Sequence, residues 1–280
     1  MHRALCATIL IAAASFAATV ATSAQTPTEQ RGTMTTLSPD VVKELAPTGT
    51  LRAAINLGNS VLAQKDANGE IKGVTADLAR ELARRAGVPP ELVPFEAAGK
   101  VFEALKTGAW DIAFLAIEPV RAAEIHFTPP YVLIEGTYMV RVDSPLKVID
   151  DVDKPGVRIA VGKGSAYDLY LTRTIKNATL VRAATGGGRA MIDLFFDQNL
   201  EVAAGVKQPL VAYAKTDPKV RVMDGRFMEI RQAMGTPKGR AAAAAYLRTF
   251  IEEMKASGFV ADALKRSNQP DAAVAPPATN

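Results

Sequence analysis

The sequence predicts an α/β protein made of two units with similar element order. Three observations carry that prediction. Between residues 51 and 115, short apolar strands alternate with amphipathic helices in the order β-α-β-α-β. After Asp143-Ser-Pro145 the alternation begins again, with unrelated sequence but similar order. A long helical stretch near the end, "TPKGRAAAAAYLRTFIEEMKASG", carries an apolar face it cannot bury alone and must dock on one of the units. Alternation of this kind argues for open parallel sheets, whose ligands sit in the crevice beyond the carboxyl ends of the strands.

Each element has a local reason. "LRAAI" is a short apolar strand, and "KDANGEIKG" places an Asn-Gly turn between two extended arms. "VTADLARELARRAG" then takes the helical period: Thr75 is expected to cap it, Leu78, Leu82 and Ala86 share a face, and Gly87 stops it. "ELVPF" is a second strand and "AGKVFEALKTG" a second helix, with Val101, Phe102 and Leu105 inward. "DIAFL" is a third strand, "EIHF" another, and residues 137–142 a further one. In the second unit "VRIAV", "TLVRA", "LEVAAG" and "KVRVM" read as strands, separated by helices from Ser165, from about Arg189 and near Pro209. The last helix is predicted with Thr236 as cap, Pro237 in the first turn and Gly258 at its end.

Composition excludes much chemistry. Residues 1–24 read as a cleavable secretory leader, with His2 and Arg3, an Ala/Ile/Leu-rich run, and Thr22-Ser-Ala24 before Gln25. The expectation is export to a bacterial periplasm as a soluble protein. Cys6 lies near the start of the apolar run, so no lipid-anchoring cysteine is implied, and the mature chain keeps one histidine, His126. Disulfides, Cys/His metal sites and Ser-His or Cys-His catalytic pairs lose their main ingredients. No metal site and no cofactor are expected. The 33 basic and 29 acidic residues give a mild excess without a long Lys/Arg run, so no nucleic-acid partner is expected. Residues 25–47 and 268–280 are polar or Pro/Ala-rich and are expected to be flexible.

The ordered set "GTLRAAI", "KDANGEIKGVTADLARELARRAG", "ALKTGAWDIAF", "EPVRAAEIHFTPPY", "DSPLKVIDDVDKPGVRIAVGKGSAYD" and "FIEEMKASGFVADAL" resembles the extracellular solute-binding proteins of ABC importers, the polar-amino-acid type called solute-binding protein family 3. The resemblance runs from about residue 48 to 264. It implies a two-lobed periplasmic-binding-protein fold of type II, each lobe an open sheet flanked by helices and joined by a two-strand hinge. Lobe I would comprise 48–140 and 231–267, and lobe II 141–230. A monomer would close on a ligand and deliver it to an inner-membrane permease.

Site residues follow from the same resemblance. The family's general carboxylate grip is an Arg in a Thr-Pro-x-Arg loop after the third strand; here the loop is Glu118-Pro-Val-Arg121, so Arg121 inherits that role. Guanidinium suits it, because its planar fork matches a carboxylate in a bidentate fashion. The alternative is a surface arginine capping a neighbouring carbonyl or pairing with Glu118 or Glu124. The loop Gly164-Ser165-Ala166 would hydrogen-bond the same carboxylate, although an ordinary capping box between Ser165 and Asp168 explains it equally well. Lys100, at the start of the second helix, stands where relatives touch ligand.

Three departures set this chain apart. The turn after the third strand is shortened to Leu115-Ala116-Ile117 and offers no hydroxyl, while Phe114 just before it is core or cleft wall. The aromatic that relatives place early in lobe I is replaced by Asn56 and Asn59. The acidic residue that holds a ligand α-ammonium is replaced by Val206 and Lys207. An ammonium without a carboxylate partner in a dry cleft is costly, so a small organic carboxylate or atypical amino acid is the expected ligand. Lys163, Lys207 or Arg189 would be available for a second anionic group, and Glu118 or Glu135 could replace the missing acid. No enzymatic activity is expected. The alternatives are a cyclohexadienyl dehydratase-like enzyme, with one of those glutamates as the acid, and a sensory receptor.

Overall fold

The computed structural model describes residues 37–184 and 187–279. The expected leader, residues 25–36 and Gly186 of the triple glycine lie outside them. In chain order the elements begin with α1 (Pro39–Leu45), β1 (Leu51–Asn56), β2 (Gln64–Lys65), β3 (Ile71–Lys72), α2 (Val74–Ala86), β4 (Pro90–Phe95), α3 (Ala98–Glu103), β5 (Ile112–Ala116) and α4 (Pro119–Ala122). The middle of the chain holds β6 (Ile125–Arg141), β7 (Arg158–Gly162), α5 (Ala166–Thr174), β8 (Thr179–Ala183), α6 (Gly188–Asp197), β9 (Val202–Val206), α7 (Lys207–Ala214) and β10 (Val220–Val222). It closes with β11 (Met228–Pro237), α8 (Ala241–Ala256), α9 (Phe259–Arg266) and β12 (Ala273–Val274).

The strands follow the order β4-β1-β5-β11-β6-β9-β7-β8. β1 pairs in parallel with β4 and β5 on one side, and β7 with β8 and β9 on the other. The two parallel groups are joined by the antiparallel pair β6/β11, which runs from Ile125↔Pro237 to Gly136↔Met228. The sequence reads β6 as two strands; it is one strand of 17 residues. Its first part pairs with β11, and its last part continues alone against β9 and β10. A strand pair that long is what lets one chain serve both parallel groups. β5, between β1 and β11, is buried at every position, as a strand covered on both faces must be.

Capping departs from expectation at two helices. α2 ends at Gly87 in the left-handed conformation, with Leu78, Leu82 and Ala86 buried, as its pattern requires. Its start is two residues earlier than expected, with Gly73 at the N-cap. Thr75 lies inside the helix, and its hydroxyl donates to the Leu62 carbonyl at 3.2 Å. Thr236 and Pro237 belong to β11 rather than to α8, and the Thr236 hydroxyl donates to the Asp111 carbonyl. The free N-terminus of α8 is capped from a distance: the Ala243 N–H donates to Glu44 Oε2 at 2.8 Å, and Glu44 belongs to α1.

Two segments expected to be flexible are docked in part. Residues 39–45 form α1, whose Leu45 is fully buried. The tail adds β12 to β6, its Ala275 N–H donates to the Tyr131 carbonyl, and Lys255 donates to the Pro276 carbonyl. In the tail, Ala272 and Ala275 are buried, small enough to pack without a large side chain to accommodate.

Candidate functional site

Arg121 reaches its position through a tight local path. β5 ends at Ala116, the Ile117 N–H donates to the Arg231 carbonyl of β11, and Glu118 is extended before Pro119 opens α4. Proline suits the first helical position, where its missing N–H costs nothing. The short helix turns Arg121 back toward the strand it came from. Its Nη1 donates to the Ala116 carbonyl at 3.1 Å and its Nη2 to the Gly164 carbonyl at 2.8 Å. The side chain is 1% exposed, and Nε has no hydrogen-bond partner. Burial pushes the guanidinium pKa down to about 10, with the Glu118 carboxylate pulling the other way. At neutral pH a full cation is therefore held in the interior by two carbonyl dipoles.

Glu118 does not take the place of that anion. It is 3% exposed, and its Oε2 lies 2.7 Å from Arg173 Nη1 of α5. Glu135 is also committed, 2.8 Å from both Lys207 Nζ and Arg226 Nη1, which hold its carboxyl below the ordinary carboxylate range.

A cavity of about 750 Å³ opens at Arg121. Of the residues singled out in the sequence, Asn56, Asn59, Leu115, Ala116, Arg121, Lys163, Ser165, Ala166, Arg189 and Val206 line it. Asn56 and Asn59 also lock the turn after β1, their side-chain oxygens accepting from the N–H groups of Gly58 and Val61. Ser165 caps α5: its hydroxyl accepts from the Asp168 N–H at 3.0 Å. The Gly164 N–H is consumed by Asp168 Oδ2 at 2.8 Å, so this part of the loop offers no donor to a ligand. Ala166 and Tyr167 remain in the first turn, where N–H groups have no intrahelical acceptor. The Tyr167 phenol is pushed up to about 12 by burial.

Four expected ligand contacts stand elsewhere. Gly164 touches the site only through its carbonyl on Arg121; at φ 71° it packs against Gly99, where an added Cβ would come 2.9 Å from the Gly99 Cα. Phe114 is core, its ring edge-to-face with Tyr131 at 6.0 Å. Lys100 is exposed and pairs with Glu103 at 2.7 Å. Lys207 is drawn off by Glu135. Trp110 is also core, its indole N–H donating to the Val101 carbonyl.

Sequence reasoning missed Gln232, Tyr167, Asp193 and Tyr213, all of which line the cavity. Gln232 had a signal, a polar residue inside an apolar strand; it pairs in register with Ala116 beside a bulge in β11. Asp193 was legible only as the helical partner of Arg189, which it meets at 2.7 Å. Among the described residues, no cluster of three or more His, Cys, Asp or Glu could hold a metal ion, and no helix is long and apolar enough to cross a membrane.

Two parallel sheets joined by a crossing strand pair, with a buried arginine at a cavity against both, define the class of two-lobed periplasmic binding proteins. The chain belongs to the bacterial extracellular solute-binding proteins, family 3, whose family model matches residues 51–267. Among solved structures it is similar to a mutant of ArgBP from T. maritima, at 20% identity and TM-score 0.70, over 81% of this chain and 99% of that one. The solute receptor for L-cysteine of Neisseria gonorrhoeae is similar at 23% identity and TM-score 0.70, covering 82% and 94%. An ancestral amino acid-binding protein, a precursor of cyclohexadienyl dehydratase, is similar at 25% identity and TM-score 0.66, covering 80% and 97%.

Proposed function

We propose that this protein is the periplasmic ligand-binding component of an ABC transporter. It captures a small organic carboxylate or atypical amino acid between lobe I (48–140 and 231–267) and lobe II (141–230) and delivers it to an inner-membrane permease. One observation carries the ligand class: Arg121 is a buried cation on the cavity wall with an unused Nε and no protein carboxylate among its hydrogen-bond partners. Burying a charge without its counter-charge costs several kcal/mol, and a carboxylate entering the cavity removes that cost. An α-ammonium finds less, since Asp193 is engaged with Arg189, Glu118 with Arg173 and Glu135 with two cations, which leaves it the solvent-exposed Glu96 of the lining.

A thermal-shift screen of the mature protein against amino acids, keto acids, hydroxy acids and dicarboxylates tests this reading, because a ligand that binds only the folded state raises its melting temperature. The best ligand should be a carboxylate without a free α-amine, and Arg121→Ala should abolish its shift. An unchanged shift in that variant removes Arg121 from the site, and a standard L-amino acid as best ligand overturns the ligand class. The similarity to a dehydratase precursor gives a second reading, an enzyme of that type, which turnover of prephenate by the mature protein would support.

A further inference from the structure

The cavity does not end at Arg121. Its lining continues onto α6 and α7, through Met191, Ile192, Pro209, Leu210, Ala212 and Tyr213. Met191, Ile192 and Leu210 are buried, so this part of the wall is backed by the core of the second sheet. The charges along it are already matched: Arg189 pairs with Asp193 at 2.7 Å, and the Tyr213 hydroxyl lies 3.4 Å from Asp217 Oδ2. Lys207, a second candidate for another anionic group, is held by Glu135. A ligand reaching along α6 and α7 therefore meets mostly apolar side chains and self-satisfied polar ones, whereas the exposed Glu96 and Lys163 line the cavity from other elements. The volume, about 750 Å³, is also far larger than a two- or three-carbon acid fills and lies in the range of drug-sized ligands.

We propose that the ligand is a monocarboxylate with an apolar tail, its carboxylate on Arg121 and its tail laid along α6 and α7. The proposal rests on the carboxylate reading of Arg121 and adds the chemistry of the other end. An apolar tail leaves no new charge unmatched there, whereas a second anionic group would have to compete with Asp193 for Arg189. Each methylene that leaves water on binding should raise affinity about fourfold.

Titration calorimetry of the mature protein with propanoate, hexanoate and 4-phenylbutanoate tests it. Hexanoate and 4-phenylbutanoate should bind at least about tenfold more tightly than propanoate. Ala212→Trp, at an exposed helix position that tolerates a larger side chain, should erase most of that advantage. Ala190→Phe, at a cavity-lining position of α6, serves as an independent blocking variant, and neither should weaken propanoate. Equal affinity for the three acids, no binding of any of them, or an advantage that survives both blocking variants overturns the tail proposal. Binding that survives in Arg121→Ala fails the carboxylate reading instead, so the two failures are separable.

Discussion

Arg121 shows how the position of one residue can be legible in the sequence while its surroundings are not. A permanent cation directly after a fully buried strand points to an anion, and the fold places it on a cavity wall. Its neighbours follow local rules that no spacing reveals. Lys207 was a candidate for the same site and is lost to Glu135, 72 residues earlier in the chain. Ionic coupling at this scale also has a pH signature. Glu81 accepts from Arg84 and Arg85, and those bonds hold its carboxyl at about 2 against an ordinary 4.5. A depressed acid contributes stability that is complete above pH 4.5 and is lost as pH falls toward 2. Glu81→Gln should therefore melt below the wild type at neutral pH, with the gap closing across that window. A gap that stays constant with pH would show that Glu81 carries no such linkage.

Helices and strands were legible wherever their own residues specify them. The apolar periodicity of α2 and the run of β5 needed nothing from outside. The start of α8 was misplaced because its cap is not local: Thr236 is committed to β11, and Glu44 of α1 accepts from the Ala243 N–H instead. A helix start without a side-chain acceptor leaves first-turn N–H groups unsatisfied, so a distant carboxylate is worth what a local cap is worth. Glu44→Ala should destabilise the protein by about 1 kcal/mol in denaturant unfolding, and Glu44→Gln, which keeps an acceptor, should recover much of that. Full stability in Glu44→Ala would show that water replaces the carboxylate at no cost.

At the scale of the whole molecule, side chains and backbone of the two parallel groups meet across the cleft. Arg121 donates to the Gly164 carbonyl, Gly99 abuts Gly164, and Glu118 pairs with Arg173. These contacts bridge the cleft, so ligand affinity depends on how far they already favour a closed form. Removing Arg173 leaves the buried Glu118 carboxylate uncompensated. The cost falls below the about 3–5 kcal/mol of a fully buried pair, because Arg173 keeps contact with water. Small-angle scattering of ligand-free Arg173→Ala should accordingly give a larger radius of gyration than the wild type. An identical radius would mean that the pair does not contribute to closure.

The sequence by itself determined the alternation of strands and helices, the two parallel groups, the family and the arginine at the end of β5. These are set by residues close together in the chain, through periodicity, turn chemistry and the charge of one side chain. Only the tertiary structure decided that β6 is a single strand shared by both groups, that the tail returns to its edge, and that Glu118 belongs to Arg173 rather than to a ligand. It also decided that the cavity continues along α6 and α7. Each of these depends on which side chains meet across long separations, and a pattern of neighbours in sequence carries no record of that.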